Sequence, residues 1–419
     1  MSGSGGLELS ALPIHVYTWL WYGRLPLPAL QSEAMIPSRF VNTDAARALF
    51  GDRVDRLAPF LGRVDPLADE AVEALSALGG GGFHMLESTL TSGNYTDRSV
   101  PKALQTFLAE ATRIPAWLDW PTVDSGGSVL LRTGLAGGLV LGAFSLPLGY
   151  ASPGGNKPLA FSGRLTEHAP RRLAETSRFV QAVSQRGGMR PGGDGLKITL
   201  KVRLMHAHVR RALKQSDKWD YAAWGEPINQ HDMAATTILF SLVVLEGLRK
   251  FGFEIDHDEA EKYMHLWRYV GTVSGVDPDL VPASQLEARA LAELIRVTQG
   301  PPDDDSRALV RALVDTPISG ARTPEEKKTA PVRAQVARGL VRALCGPELS
   351  DQFGIGKTPW ENVLRLIRTG GKVSDRASKL SPFGRQKAIL KGERYWEEVV
   401  KIGLRGGPYE YKPPPMNNV

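Results

Sequence analysis

The chain has 419 residues, 42% apolar and 23% charged, which excludes a disordered or fibrous protein and leaves one large or two ordinary globular domains. A single cysteine, Cys345, excludes an intramolecular disulfide and every cysteine-based zinc or iron–sulfur site. The net charge of +6 is uneven, with 18 Lys/Arg against 10 Asp/Glu in residues 321–410, and without an aromatic-interleaved basic ribbon this suits a solvated face better than nucleic acid.

Residues 1–6 (MSGSGG) read as a cloning remnant or a floppy leader. Residues 68–78 have an acidic first turn and an apolar face before glycines 79–82, which predict a helix and its stop. Residues 101–111 read as a second helix. The apolar run 129–150 carries Arg132, Pro147 and five glycines, so it is expected to be a buried helix rather than a membrane span. Gly134, Gly138 and Gly142 would leave one of its faces bare for close approach of a neighbour or a flat ligand.

Helical spacing continues through 175–183, 197–214, 233–251, 258–273, 284–297, 306–314, 331–344, 360–368 and 394–402. Residues 186–195 and 300–305 read as loops. The run 233–248 is apolar almost all round and so buried, and Glu246 within it needs a partner or a place at its end. With roughly a dozen helices and no alternating strands, the class is mainly α.

The chemistry concentrates on residues 197–214. Val202, Met205, Val209 and Leu213 share an apolar face in which His206 lies, and Arg203 and Arg210 sit three before and four after that histidine. An imidazole in an apolar stripe between two guanidinium groups suits a haem, with the ring on iron and the arginines on propionates. No CxxCH occurs, so such a haem would be non-covalent. On spacing alone a core histidine bonded to a backbone carbonyl stays open. On the preceding helix, Arg172 and Thr176 share a face with Phe179, Val180 and Val183, and would meet a propionate or bound oxygen; on this pattern alone a helix flank with a solvated arginine stays equally open.

Other candidates fail. Gly354-Ile-Gly-Lys-Thr358 lacks the first glycine of a phosphate loop, His206 and His208 diverge on a helix, and His231-Asp232 after Asn229 reads as a capped helix start.

Arg172-x3-Thr176, Arg203-Leu-Met-His-Ala207, Gly225-Glu-Pro-Ile-Asn-Gln-His-Asp232 and Tyr263-Met-His-Leu-Trp-Arg-Tyr-Val-Gly271 occur in that order. Over about residues 115–282 the chain resembles the latex-clearing-protein and MpaB-type oxygenase family. The resemblance implies a single, globin-like multi-helix domain around a non-covalent haem b. His206 would be the proximal metal ligand, Arg203, Arg210 and Arg172 would bind the cofactor, and Arg172 and Thr176 would order the distal side. It implies O2-dependent cleavage of carbon–carbon double bonds in a polyisoprenoid such as poly(cis-1,4-isoprene), giving aldehyde- and ketone-ended oligomers.

Two departures loosen the substrate. Glu175 stands where some relatives have a distal lysine, and between residues 122 and 166 the only acid is Asp124, where they use a glutamate base. Glu175 is therefore the candidate catalytic base, and another unsaturated lipid is the alternative substrate. A non-catalytic helical protein binding lipid through 129–150 and the basic C-terminal lobe is a further alternative.

The expected organisation is a leader and loop segment at 1–35, a helical haem-binding oxygenase domain at 36–410 and a tail at 411–419. A monomer without a membrane span or nucleic-acid partner is expected. It would be secreted if rubber is the substrate and cytoplasmic otherwise.

Overall fold

The computed structural model describes residues 36–161 and 169–404, so the expected leader 1–35, residues 405–410 and the tail 411–419 lie outside the described residues. Twelve helices among them have ten residues or more, and the sole β pairing is an isolated bridge between Phe40 and Gln299. In chain order these are α1 (Pro66–Ala77), α2 (Gly81–Ser92), α3 (Lys102–Ala111), α4 (Ala169–Ser184), α5 (Asp194–Lys214), α6 (Gln230–Phe240), α7 (His257–Val273), α8 (Gln285–Val297), α9 (Asp304–Val314), α10 (Pro324–Cys345), α11 (Val363–Lys379) and α12 (Pro382–Leu404).

Local chemistry starts many of them. Asp65 accepts from the Ala68 amide ahead of Pro66 in α1, Asn229 accepts from the Asp232 amide in α6, and Asp256 with Glu259 forms a capping box on α7. Each cap satisfies an amide that the first helical turn leaves without a carbonyl.

Several expected boundaries move. α10 runs through Pro331 and begins at a Thr323–Glu326 capping box with Pro324 next to it, so the later proline is interior and not the start. The glycines at 79–82 do end α1, which stops at Ala77, and a further helix, α2, starts within them at Gly81. The run 233–251 divides at Ser241 (φ −102°, ψ −90°) into α6 and a shorter helix, Leu242–Lys250. Glu246 finds its partner in Arg289 at 3.2 Å.

The apolar run 129–150 is not one helix. Gly134 adopts φ 45° and ψ −116°, a backbone state that a side chain would strain, and turns the chain by 88° between Trp120–Thr133 and Leu135–Tyr150. The second arm contains a π-helical turn at Leu141–Ser145. A Cβ at Gly138 would stand 2.7 Å from the Tyr395 hydroxyl, so the bare face admits α12, whereas Gly142 has nothing within 4 Å. By length and composition Gln230–Lys250 could cross a membrane, yet over half of its apolar window is buried inside the protein.

One apolar cluster extends from Phe40 to Trp396 and joins nearly every helix. A smaller one gathers Val209, Leu213 and Trp219 with Phe161, Met205, Trp224 and Ile228. α12 packs along α4 and the helix Ser128–Thr133, closing the bundle beside the site helices.

Candidate functional site

Four helices converge on a cavity of about 330 Å³. α5 contributes Val202, Met205 and His206, α4 contributes Arg172, Glu175, Thr176 and Phe179, α6 contributes Met233, Thr236, Thr237 and Phe240, and α7 contributes Trp267 and Val270. Phe240 and Trp267 stack with centroids 5.4 Å apart, and Phe179 meets both edge-on. Sequence reasoning missed Phe240, Trp267 and Thr236 as wall residues. Their signal was available in the apolar run of α6 and in the aromatic motif of α7, but which face turned inward was not.

His206 offers this cavity a free imidazole. Its Nδ1 is buried without a hydrogen-bond partner among the described residues, and the residue lines the cavity wall. Burial, reinforced by the Arg210 charge and opposed by Asp65, pushes its pKa down to about 4. The ring is therefore neutral at physiological pH, the state in which imidazole binds a metal. No backbone carbonyl engages it, so the alternative of a hydrogen-bonded core histidine does not describe this residue.

Arg203 and Arg210 require a correction. At 100° per residue they lie about 60° and 40° to one side of His206, while Val202 and Met205 lie on the other. That offset turns both guanidinium groups away from the cavity and onto α1. Arg203 Nε donates to Asp65 Oδ2 at 2.7 Å and its Nη2 to Oδ1 at 3.0 Å, a two-pronged pair, while Nη1 reaches the Val273 carbonyl at 3.1 Å. It also lies over the Phe107 ring at 5.2 Å. Arg210 Nε donates to Asp69 at 2.8 Å and Nη1 to the Ile228 carbonyl at 3.0 Å. Both side chains are spent on anchoring α5, with none of their length in the cavity wall.

Arg172 is placed otherwise. It has no carboxylate or hydrogen-bond partner among the described residues, and it lines both the main cavity and a neighbouring one of about 170 Å³. Thr176, Leu159, Thr236 and Phe240 share that dividing wall. Tyr150, Asn156 and Ser145 line the smaller space, and burial raises the Tyr150 hydroxyl while the Arg172 charge pulls it back. Glu175 reaches the main cavity at its half-exposed rim and accepts from Arg171 Nε at 2.9 Å.

Asp124 is structural. It accepts from the Gly187 amide at 3.1 Å and from Arg190 at 2.7 Å, pinning the loop between α4 and α5. His208 points elsewhere, as expected, and Thr358 near the glycine-rich stretch caps a 3-10 turn at Pro359–Asn362.

A bundle of helices lining an apolar cavity, with a neutral imidazole in its wall that has no partner among the described residues, defines the class: a mainly helical protein with a ligand-sized cavity at His206. The chain belongs to the family described as ER-bound oxygenase mpaB/B'/Rubber oxygenase, catalytic domain, whose model matches residues 120–372. That span contains every residue lining the two cavities, whereas Asp65 and Asp69 precede it. The chain is 27% identical over 281 residues to the rubber oxygenase of Streptomyces sp. (strain K30), covering 64% of each chain. It thus spans about 64% of that relative's length. Its fold is similar to that of a latex clearing protein in the closed state, with a TM-score of 0.59, 21% identity and coverage of 81% of this chain and 91% of the other.

Proposed function

We propose that this chain is a haem b-dependent oxygenase that uses O2 to cleave carbon–carbon double bonds of a polyisoprenoid, giving aldehyde- and ketone-ended oligomers. The observation that carries the reading is His206, a neutral imidazole that lines the cavity and has no hydrogen-bond partner among the described residues. The residues present fit the group. His206 would hold the iron of a haem, and the apolar walls of the cavity would cover its flat ring.

When bound, haem supplies the activation of O2 that side chains cannot perform. Phe179, Phe240 and Trp267 provide flat apolar walls and exclude water. Arg172, at the cavity junction and without a partner among the described residues, would neutralise a propionate or order a small ligand. The Thr176 hydroxyl on the same helix face orients a small polar molecule beside it. Glu175 has one oxygen on Arg171 and the other free to accept or return a proton.

The apolar lining suits a hydrocarbon chain. Glu175 in place of a lysine, together with the polar end of the smaller cavity at Arg172 and Asn156, favours as second reading a shorter unsaturated lipid. An absorbance spectrum tests the class: protein loaded with haemin is expected to show a Soret band that His206→Ala loses or strongly shifts while retaining its helical circular dichroism. A protein that takes up no haemin refutes the reading. Incubation with rubber latex, scored for aldehyde ends, then separates the two substrates.

A further inference from the structure

The hairpin of α11 and α12 carries an apolar stripe that no part of the described protein covers. Leu366, Gly370, Val373, Ala377 and Leu380 follow one another at spacings of four, three, four and three, and all five are exposed. Leu366 is 74%, Val373 66% and Leu380 85% exposed, and Phe383, just past the turn, is 77% exposed. This is the periodicity of a helix face made to be buried. The inner face of the same helix is already used, by Val363, Leu364 and Ile367 against the core and by buried Gly371 and Asp375.

Charge selects the occupant. Residues 363–392 contain eight Lys/Arg and one acid, Asp375. That acid is buried and taken up by Arg132 and Lys379. Arg365, Arg368, Lys372, Lys387 and Lys391 remain exposed around the stripe. A second copy seated on the stripe would bring these cations against their own equivalents, with no acid between them. A bare hydrocarbon surface would leave them without counter-charge. An anionic phospholipid surface satisfies both features at once, since the apolar stripe enters the headgroup boundary while the cations meet phosphates.

We propose that the α11–α12 hairpin docks the protein on an anionic phospholipid surface, with Leu366, Val373, Leu380 and Phe383 as the inserting residues. The proposal stands independently of the haem reading. The tip residues Leu380 and Phe383 lie beyond the span matched by the family model, which ends at residue 372.

The test is co-sedimentation of the full chain with vesicles of phosphatidylcholine alone and of phosphatidylcholine with phosphatidylglycerol, at low and high salt. Binding is expected only to the anionic vesicles, weakening with salt. The double variant Leu380→Asp/Phe383→Asp is expected to lose roughly tenfold or more in affinity. Arg365→Gln and Lys372→Gln should each lose roughly fivefold. All these side chains are exposed, so an unchanged melting temperature certifies the fold. No binding to anionic vesicles overturns the proposal, as does binding that the double variant retains or that neutral vesicles match. A concentration-dependent dimer abolished by the same double variant, without vesicle binding, would assign the stripe to a second copy and equally overturn it.

Discussion

Among the described residues, neither His206 nor Arg172 has a hydrogen-bond or ion-pair partner, and both line the same cavity. Arg203 and Arg210, of the same residue type and nearer in sequence to His206, have none to spare. The distinction is measurable. Arg172→Met should leave the stability of the cofactor-free protein within about 0.5 kcal/mol and speed transfer of haem to a scavenger roughly tenfold. Arg203→Met should do the reverse, because it abandons Asp65 in a largely buried setting; chemical denaturation is expected to show a loss of about 3 kcal/mol with haem retention per folded molecule unchanged. Sequence spacing identified His206 and the Arg172/Thr176 face, since one helix turn fixes which residues are neighbours. It did not separate Arg203 and Arg210 from the cavity, because an offset of about 40–60° decides whether a side chain meets ligand or neighbouring helix. The partner acids Asp65 and Asp69 lie more than a hundred residues away.

Among elements, ties between distant segments carry most of the sensitivity. Burial alone would raise the Asp232 carboxyl, but Arg39 at 2.7 Å and His231 at 3.1 Å outweigh it and hold it down at about 2. A carboxyl depressed from an ordinary 3.8 contributes stability that is complete above that pH and disappears as pH falls toward 2. Arg39→Ala should therefore cost about 2 kcal/mol at neutral pH and shift acid unfolding to higher pH, both followed by helical circular dichroism. The contact between α12 and the helix Ser128–Thr133 is tighter still. A Cβ at Gly392 would stand 1.5 Å from the Leu131 carbonyl oxygen, so Gly392→Ala must push the helices apart; a loss of about 3 kcal/mol is expected in thermal unfolding. The helices themselves were largely legible from periodicity and caps. The break at Gly134 was not, since a glycine in an apolar run looks the same whether it bends the chain or lies flat against a neighbour.

At the level of the whole molecule, the C-terminal hairpin is joined to the core by a buried network of charge. Arg132 contacts both Asp375 and Glu259, Arg385 contacts Glu259, and Asp375 also accepts from the Glu254 amide at 2.9 Å. Arg132 and both acids have side chains at most 4% exposed, so removing one leaves an uncompensated charge in the interior. Asp375→Ala is expected to cost about 4 kcal/mol and to raise amide hydrogen exchange first in α11. Fast exchange in α5 with slow exchange in α11 would contradict it. The fold class was readable because most of the long helices show helical periodicity and strand alternation is sparse, whereas this network joins residues 132, 259, 375 and 385, which no local pattern relates.

The anchoring of α5 has a consequence for how the protein is made. Arg203 and Arg210 grip α1 from the flank that faces away from the cavity, so the helix that presents His206 is positioned without reference to what the cavity contains. If the proposed haem reading holds, a chain synthesised while haem is scarce is expected to fold first and be filled afterwards. On that reading, supply of haem, and not folding, would set how much of the protein is competent.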